Sequence, residues 1–135
     1  MTHWNDTLLI GISAIDTQHR KLVNEIDKLM ETCEQGKGRA EVGHALSSTL
    51  AHTKELFRIE ENYQARYAYP GMNAHKRLHS QLVMNLEALS QEFERTGPNI
   101  AITGKLNKTL VEWFINHAGA EDKKAGEFLL EAGGS

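Results

Sequence analysis

His75-Lys76-Arg77-Leu78-His79-Ser80-Gln81-Leu82-Val83-Met84-Asn85-Leu86-Glu87-Ala88-Leu89-Ser90-Gln91-Glu92-Phe93 is the stretch that decides the fold. Within it His75, His79, Leu82, Leu86, Leu89 and Phe93 recur every three or four residues, so they line one face of an α-helix. Nothing in the stretch alternates with period two, which excludes a half-buried strand. The apolar face begins with two imidazoles, and this is its unusual feature.

The rest of the chain repeats the pattern. Three breaks, Gly36-Lys37-Gly38, Ala68-Tyr69-Pro70-Gly71 and Thr96-Gly97-Pro98-Asn99, carry the glycines and both prolines of turn-forming sequence. They divide the chain into four long segments. The first has the stripe Ile15, His19, Leu22, Ile26, Leu29, Cys33. The second has Leu46, Thr49, Thr53, Leu56, Glu60, Gln64, and the fourth has Leu106, Leu110, Trp113, His117. Short connections favour antiparallel neighbours, so the expected architecture is all-α, an up-down-up-down four-helix bundle over about residues 13–118. Residues 1–12, with Trp4, Leu8, Leu9 and Ile10, form an N-terminal arm packed on the bundle. A short C-terminal helix over about 121–131 carries Phe128 and Leu129 back onto it. The whole is expected to be one domain of 135 residues, closing in a flexible tail, Ala132-Gly133-Gly134-Ser135, with no output domain after it.

Composition narrows the function. Fifteen Lys and Arg against 18 Asp and Glu give a net charge of −3, so the chain lacks the basic face that nucleic-acid binding needs. No apolar run approaches the roughly 20 residues that span a bilayer. The start Met1-Thr2-His3-Trp4-Asn5-Asp6 has no basic segment followed by an apolar one, so a cytoplasmic location is expected. Cys33 is the single cysteine beside seven histidines, which excludes an internal disulfide and a thiolate-rich zinc site. Any metal must be held by nitrogen and oxygen.

His19, Glu60, His75, His79 and His117 all fall on core-facing stripes. Burying a carboxylate or imidazole without a partner is costly. Five such groups spread over four helices share one explanation in a metal site inside the bundle. His75 and His79, four apart, present both rings to one ion. His117 and Asp122, five apart, would be about 140° from each other on a straight α-helix. A local bulge at Ala118-Gly119-Ala120 would swing Asp122 inward. His3, His44 and His52 read as bystanders, and Cys33 as a small core residue.

With these residues in place the chain resembles the hemerythrins, most closely the single-domain bacterial ones. The matching segments are Gly11-Ile12 to Ile15-Asp16-Thr17-Gln18-His19-Arg20, Phe57-Arg58-Ile59-Glu60-Glu61, Tyr69-Pro70 with His75 and His79, and Trp113 to His117 with Asp122. The resemblance implies a non-haem di-iron centre in a four-helix bundle. It makes Glu60 and Asp122 bridging carboxylates, His75, His79 and His117 the ligands of one iron, and His19 a ligand of the other, which keeps a position open for dioxygen.

One departure stands on that second iron. The family carries a histidine four residues before the bridging glutamate, and this chain has Leu56. His52 is no substitute, because it lies about 12 Å along the helix from Glu60. Gln64 stands where the family often has Met, and Ala118 and Gly119 follow His117 where a bulky aliphatic is usual, which together predict a wider, wetter pocket. The resemblance therefore implies two irons, with the second site weakened. The expected function is a dioxygen-binding protein for storage, delivery or sensing, not an enzyme. Its partner is dioxygen or another small diatomic or peroxide ligand, with room for a protein partner. The alternatives are an oxygen- or peroxide-activating iron enzyme, and a signalling module with reduced metal chemistry.

Overall fold

Asp16 starts the first helix by reaching backwards: its Oδ1 accepts the Ile10 N–H at 2.8 Å and its Oδ2 the Gly11 N–H at 3.0 Å. The carboxylate thus sits in the first turn, where it also opposes the positive end of the helix dipole. The structure, a computed structural model, describes residues 9–114 and 117–134, and only the backbone of 118 and 119. Trp4 and Leu8 of the expected arm, and His3, lie outside the described residues. Of the arm that is described, Ile10 and Ile12 are buried and Leu9 is exposed.

Helix α1 runs Ser13–Glu34, α2 Arg39–Arg66 and α3 Met72–Thr96. Each begins just after one of the expected breaks or at the arm. The predicted stripes are the buried faces: Ile15, Leu22, Ile26 and Leu29 on α1, Leu46 and Leu56 on α2, Leu82, Leu86 and Phe93 on α3. Cys33 and Leu89, at the stripe margins, are half-buried. Removing each such aliphatic side chain from water contributes about 1.5–3 kcal/mol. α1 packs on α2 and α2 on α3; the fourth segment packs on α3 and closes against α1. This is the expected all-α bundle.

The fourth segment differs from a plain α-helix. Asn99 caps it by accepting the Ile102 N–H at 2.9 Å, and α4 covers only Ile100–Leu106. A π-helical stretch follows over Asn107–Phe114, and a second π turn covers Ala118–Asp122. That turn runs without a loop into α5, Lys123–Glu131, since Asp122 and Lys123 both keep helical dihedrals. The expected separate C-terminal helix is therefore a continuation of the fourth segment's last turn. The wide turns accommodate the polar pair that must face inward, and period-3.6 reasoning has no term for that.

α5 returns to the arm. Leu129 is buried, and Gly126 lies so close to Ile10 that an added Cβ would sit 2.8 Å from the Ile10 Cβ. Ala132–Gly134, expected to be flexible, instead caps α5: Gly133 adopts φ +100°, its N–H meets Leu130 O, and the Gly134 N–H meets Leu129 O at 2.7 Å. Among the described residues no helix is long and apolar enough to cross a membrane.

α2 ends in the same motif without a glycine. Ala68 has φ +54°, with its N–H on Ala65 O and the Tyr69 N–H on Gln64 O. A Cβ in this left-handed region costs roughly 1–2 kcal/mol, offset in part by the entropy a glycine loses. Ala68→Gly is therefore expected to stabilise the protein by about 0.5–1 kcal/mol, read as a higher urea midpoint with unchanged slope.

Candidate metal centre

Four helical segments converge on one buried point. α2 delivers Leu56, Glu60 and Gln64 at successive turns of its inner face, α3 delivers His75 and His79, α1 delivers His19, and the fourth segment delivers His117 and Asp122. Every one of these side chains is buried. The His117–Asp122 pair shows why the π turn matters. With hydrogen bonds reaching five residues instead of four, residues five apart come onto one face. The bulge expected at Ala118-Gly119-Ala120 is this turn.

The donor atoms crowd together. His75 Nε2 lies 2.9 Å from His117 Nε2 and 2.9 Å from Asp122 Oδ1, and His117 Nε2 is 3.0 Å from the same oxygen. Glu60 Oε2 is 3.4 Å from His79 Nε2 and 3.7 Å from His75 Nε2. One donor atom from each of Glu60, His75, His79, His117 and Asp122 fits within 4.8 Å of the others. His19 Nε2 stands on the far side of the carboxylates, 3.0 Å from Glu60 Oε1 and 3.1 Å from Asp122 Oδ2. All six residues read from the sequence are thus brought together. The bystanders are not: His44 and His52 are exposed, and His52 instead meets Glu25.

Proximity alone does not satisfy these groups. Both Asp122 oxygens and His79 Nε2 are buried without an aligned hydrogen-bond partner, although nitrogens or oxygens lie close by. Neighbouring donors on one ion with bonds of about 2.1 Å at right angles sit about 3.0 Å apart, so the misaligned close approaches fit atoms facing a shared cation. Imidazole plus carboxylate is a donor set that suits iron.

Outer contacts orient the rings. Glu61 Oε2 is 2.8 Å from His79 Nδ1, so it accepts that N–H and leaves the Nε2 lone pair facing inward. The Gln64 side-chain amide nitrogen lies 2.9 Å from His75 Nδ1 and fixes that ring from its outer side. Phe57 stacks on His79 at 3.7 Å between ring centres, and Trp113 on His117 at 4.8 Å. Sequence reasoning found no role for Glu61, Phe57 or the Trp113 ring. The one available signal was their spacing of one, four or three residues from a ligand-type side chain. Leu56 is completely buried, so the α2 position before Glu60 brings an apolar wall to the site. The wetter pocket expected there rests partly on the side chains of 118 and 119, which lie outside the described ones.

The electrostatics follow from burial opposed by charge. Burial alone would lower the His19 pKa, but the Asp122 and Glu60 carboxylates raise it to about 10. Burial would raise Asp122, yet the His117, His19 and His75 imidazoles hold it well below the carboxylate range. Burial likewise opposes, and Glu60 with Glu61 drives, an upward shift at His79.

The hemerythrin HHE cation-binding domain family matches residues 10–129 of this chain. A bacteriohemerythrin of Stenotrophomonas maltophilia (strain R551-3) is 30% identical over 120 residues, covering 89% of this chain and 76% of that protein. One from Pseudomonas aeruginosa (strain LESB58) is 28% identical over 119 residues, 88% of this chain and 75% of its own. One from Campylobacter jejuni (strain 81-176) is 26% identical over 131 residues, 97% of either chain.

Two outcomes are expected from this geometry. Glu61→Ala removes the acceptor from His79 and should weaken metal binding by about 10–100-fold while leaving the helical circular dichroism unchanged. In the metal-free protein the raised His19 pKa stabilises the fold fully below its unfolded value of 6.5, and this is lost as pH rises through about 10. The melting temperature of metal-free protein should therefore fall, on the order of 5 °C, between pH 7 and pH 10, and His19→Leu should flatten that fall.

Proposed function

The chain belongs to the hemerythrin family, and on that premise we propose that it is a cytoplasmic non-haem iron protein that binds dioxygen or another small diatomic ligand, for storage, delivery or sensing. What supports this most is the set of five buried donors within 4.8 Å, three imidazoles and two carboxylates. Such a set, buried and rich in donor atoms, suits a resident cation.

Iron, when bound, supplies redox chemistry and an open position for a small ligand. The protein's residues do the rest. His75, His79 and His117 hold the ion together with Glu60 and Asp122. Glu61 keeps the outer ring nitrogen of His79 occupied, so that Nε2 is its free donor, and Gln64 contacts the outer nitrogen of His75. The stacked Phe57 and Trp113 rings fix the planes of His79 and His117. On the His19 side, Leu56 and Phe114 form an apolar lining that favours a small uncharged ligand over a hydrated ion. We place the altered part of the centre there, at Leu56. The same departure supports a second reading, oxygen or peroxide activation, because fewer protein donors leave more of the coordination open.

The test uses protein loaded with ferrous iron under anaerobic conditions. Visible absorption bands should appear on adding dioxygen or nitric oxide and disappear when the gas is removed, through repeated cycles. No spectral response to either gas, or no retained iron, overturns the proposal. Sustained peroxide consumption with a reducing co-substrate, well above free iron, would replace it with the enzyme reading.

A further inference from the structure

We infer that the centre holds one ion tightly, on the three-imidazole side, and that His19 serves the other side by donating its Nε2–H to Glu60 Oε1, close beside Asp122 Oδ2, in place of a second cation. The inference rests on the iron-binding reading above and concerns how many ions that site takes.

The two carboxylates divide the site. Glu60 Oε2 and Asp122 Oδ1 face His75, His79 and His117, while Glu60 Oε1 and Asp122 Oδ2 face His19. The first side therefore has three nitrogens and two oxygens for an ion. The second has one nitrogen and two oxygens.

Nothing nearby on α2 makes up the difference. Leu56, one turn before Glu60 on the same inner face, is fully buried and has no donor atom. Thr53 is also fully buried, but it stands seven residues before Glu60, about 10 Å along the helix axis. Phe114 turns its ring edge toward His19, with 6.1 Å between ring centres. An ion on this side would have to complete its shell with water against an apolar wall, where a polar group without partners is penalised. A hydrogen bond meets no such penalty. His19 Nε2 and Glu60 Oε1 are 3.0 Å apart, an ordinary N–H···O distance, and Asp122 Oδ2 flanks the same nitrogen at 3.1 Å. One imidazole N–H therefore supplies positive potential to the outer oxygens while the three-imidazole side holds the ion.

Zinc is the probe, because it is diamagnetic and accepts the same donors. Metal-free protein is saturated with Zn²⁺, dialysed against a weak chelator and analysed for metal per chain. The wild type should retain one ion and Leu56→His two. Long-range 15N–1H correlation spectra of the zinc-loaded wild type should show His19 carrying a proton on Nε2, with Nε2 of His75, His79 and His117 metal-bound. Two retained ions in the wild type, or a metal-bound Nε2 on His19, overturns the inference. A folded Leu56→His protein that still retains one ion also overturns it, because Leu56 would then not be the missing donor. If that variant does not fold, the wild-type spectrum decides alone. A wild type that retains no zinc while keeping its fold would instead defeat the metal-centre reading on which the inference stands.

Discussion

Two carboxylates held inside a helix bundle, out of reach of water, set the terms for everything around them. Glu60 and Asp122 are each about 2% exposed, and each lies within ion-pair distance of several imidazoles. Imidazoles face the negative charge of the two carboxylates from α1, α3 and the fourth segment. An imidazole can answer it in two ways, with a proton or by sharing a metal ion, and the site contains four of them. The upward shifts at His19 and His79 and the downward shift at Asp122 express the same demand in the metal-free protein. A core with this content is stable only when the charge is matched, so occupancy of the site and stability of the bundle are linked.

The surrounding fold is arranged to hold these groups still. Each of the three imidazoles from α3 and the fourth segment has a fixing contact on its outer side: Glu61 for His79, Gln64 for His75, Trp113 for His117. Two of these three come from α2, the helix that also carries Glu60. α2 therefore positions donors that belong chemically to α3 as well as its own. That makes the α2–α3 pairing the rigid half of the site. α1 contributes a single imidazole, and it touches only the outer oxygens of the carboxylates. The site is thus lopsided in mechanical support as well as in donor count.

Much of this was legible in the sequence. Periodicity located the buried faces of α1, α2 and α3, and the Gly- and Pro-containing breaks located their ends, because burial and turn chemistry act locally. The six polar residues on or beside those faces stood out because a core tolerates them only in company. The structure brings all six together. What pattern reading could not supply was the geometry between helices. His19 and His79 look alike on their stripes, yet one faces the outer oxygens and the other the inner ones. Glu61 drew no reading of its own from the sequence, yet its partly exposed carboxylate turns inward to His79. The end of the chain was misread for a different reason. Gly133 and Gly134 suggest flexibility by composition, but glycine is also the residue that closes a helix with a positive φ.

The π turn at Ala118–Asp122 carries a consequence of another kind. It amounts to one residue more than an α-helix would use to climb the same height, so it is an insertion absorbed without a loop. Losing a single residue from it would return the backbone to an ordinary helix, with hydrogen bonds that are at least as good. Such a loss would leave the two residues four apart and still on one face, whereas α-helical hydrogen bonding at full length would turn Asp122 about 140° from His117 and leave the imidazoles one carboxylate short. In that segment the hydrogen-bond register of the helix, as well as the identity of its side chains, therefore decides whether the bundle is a metal centre or only a bundle.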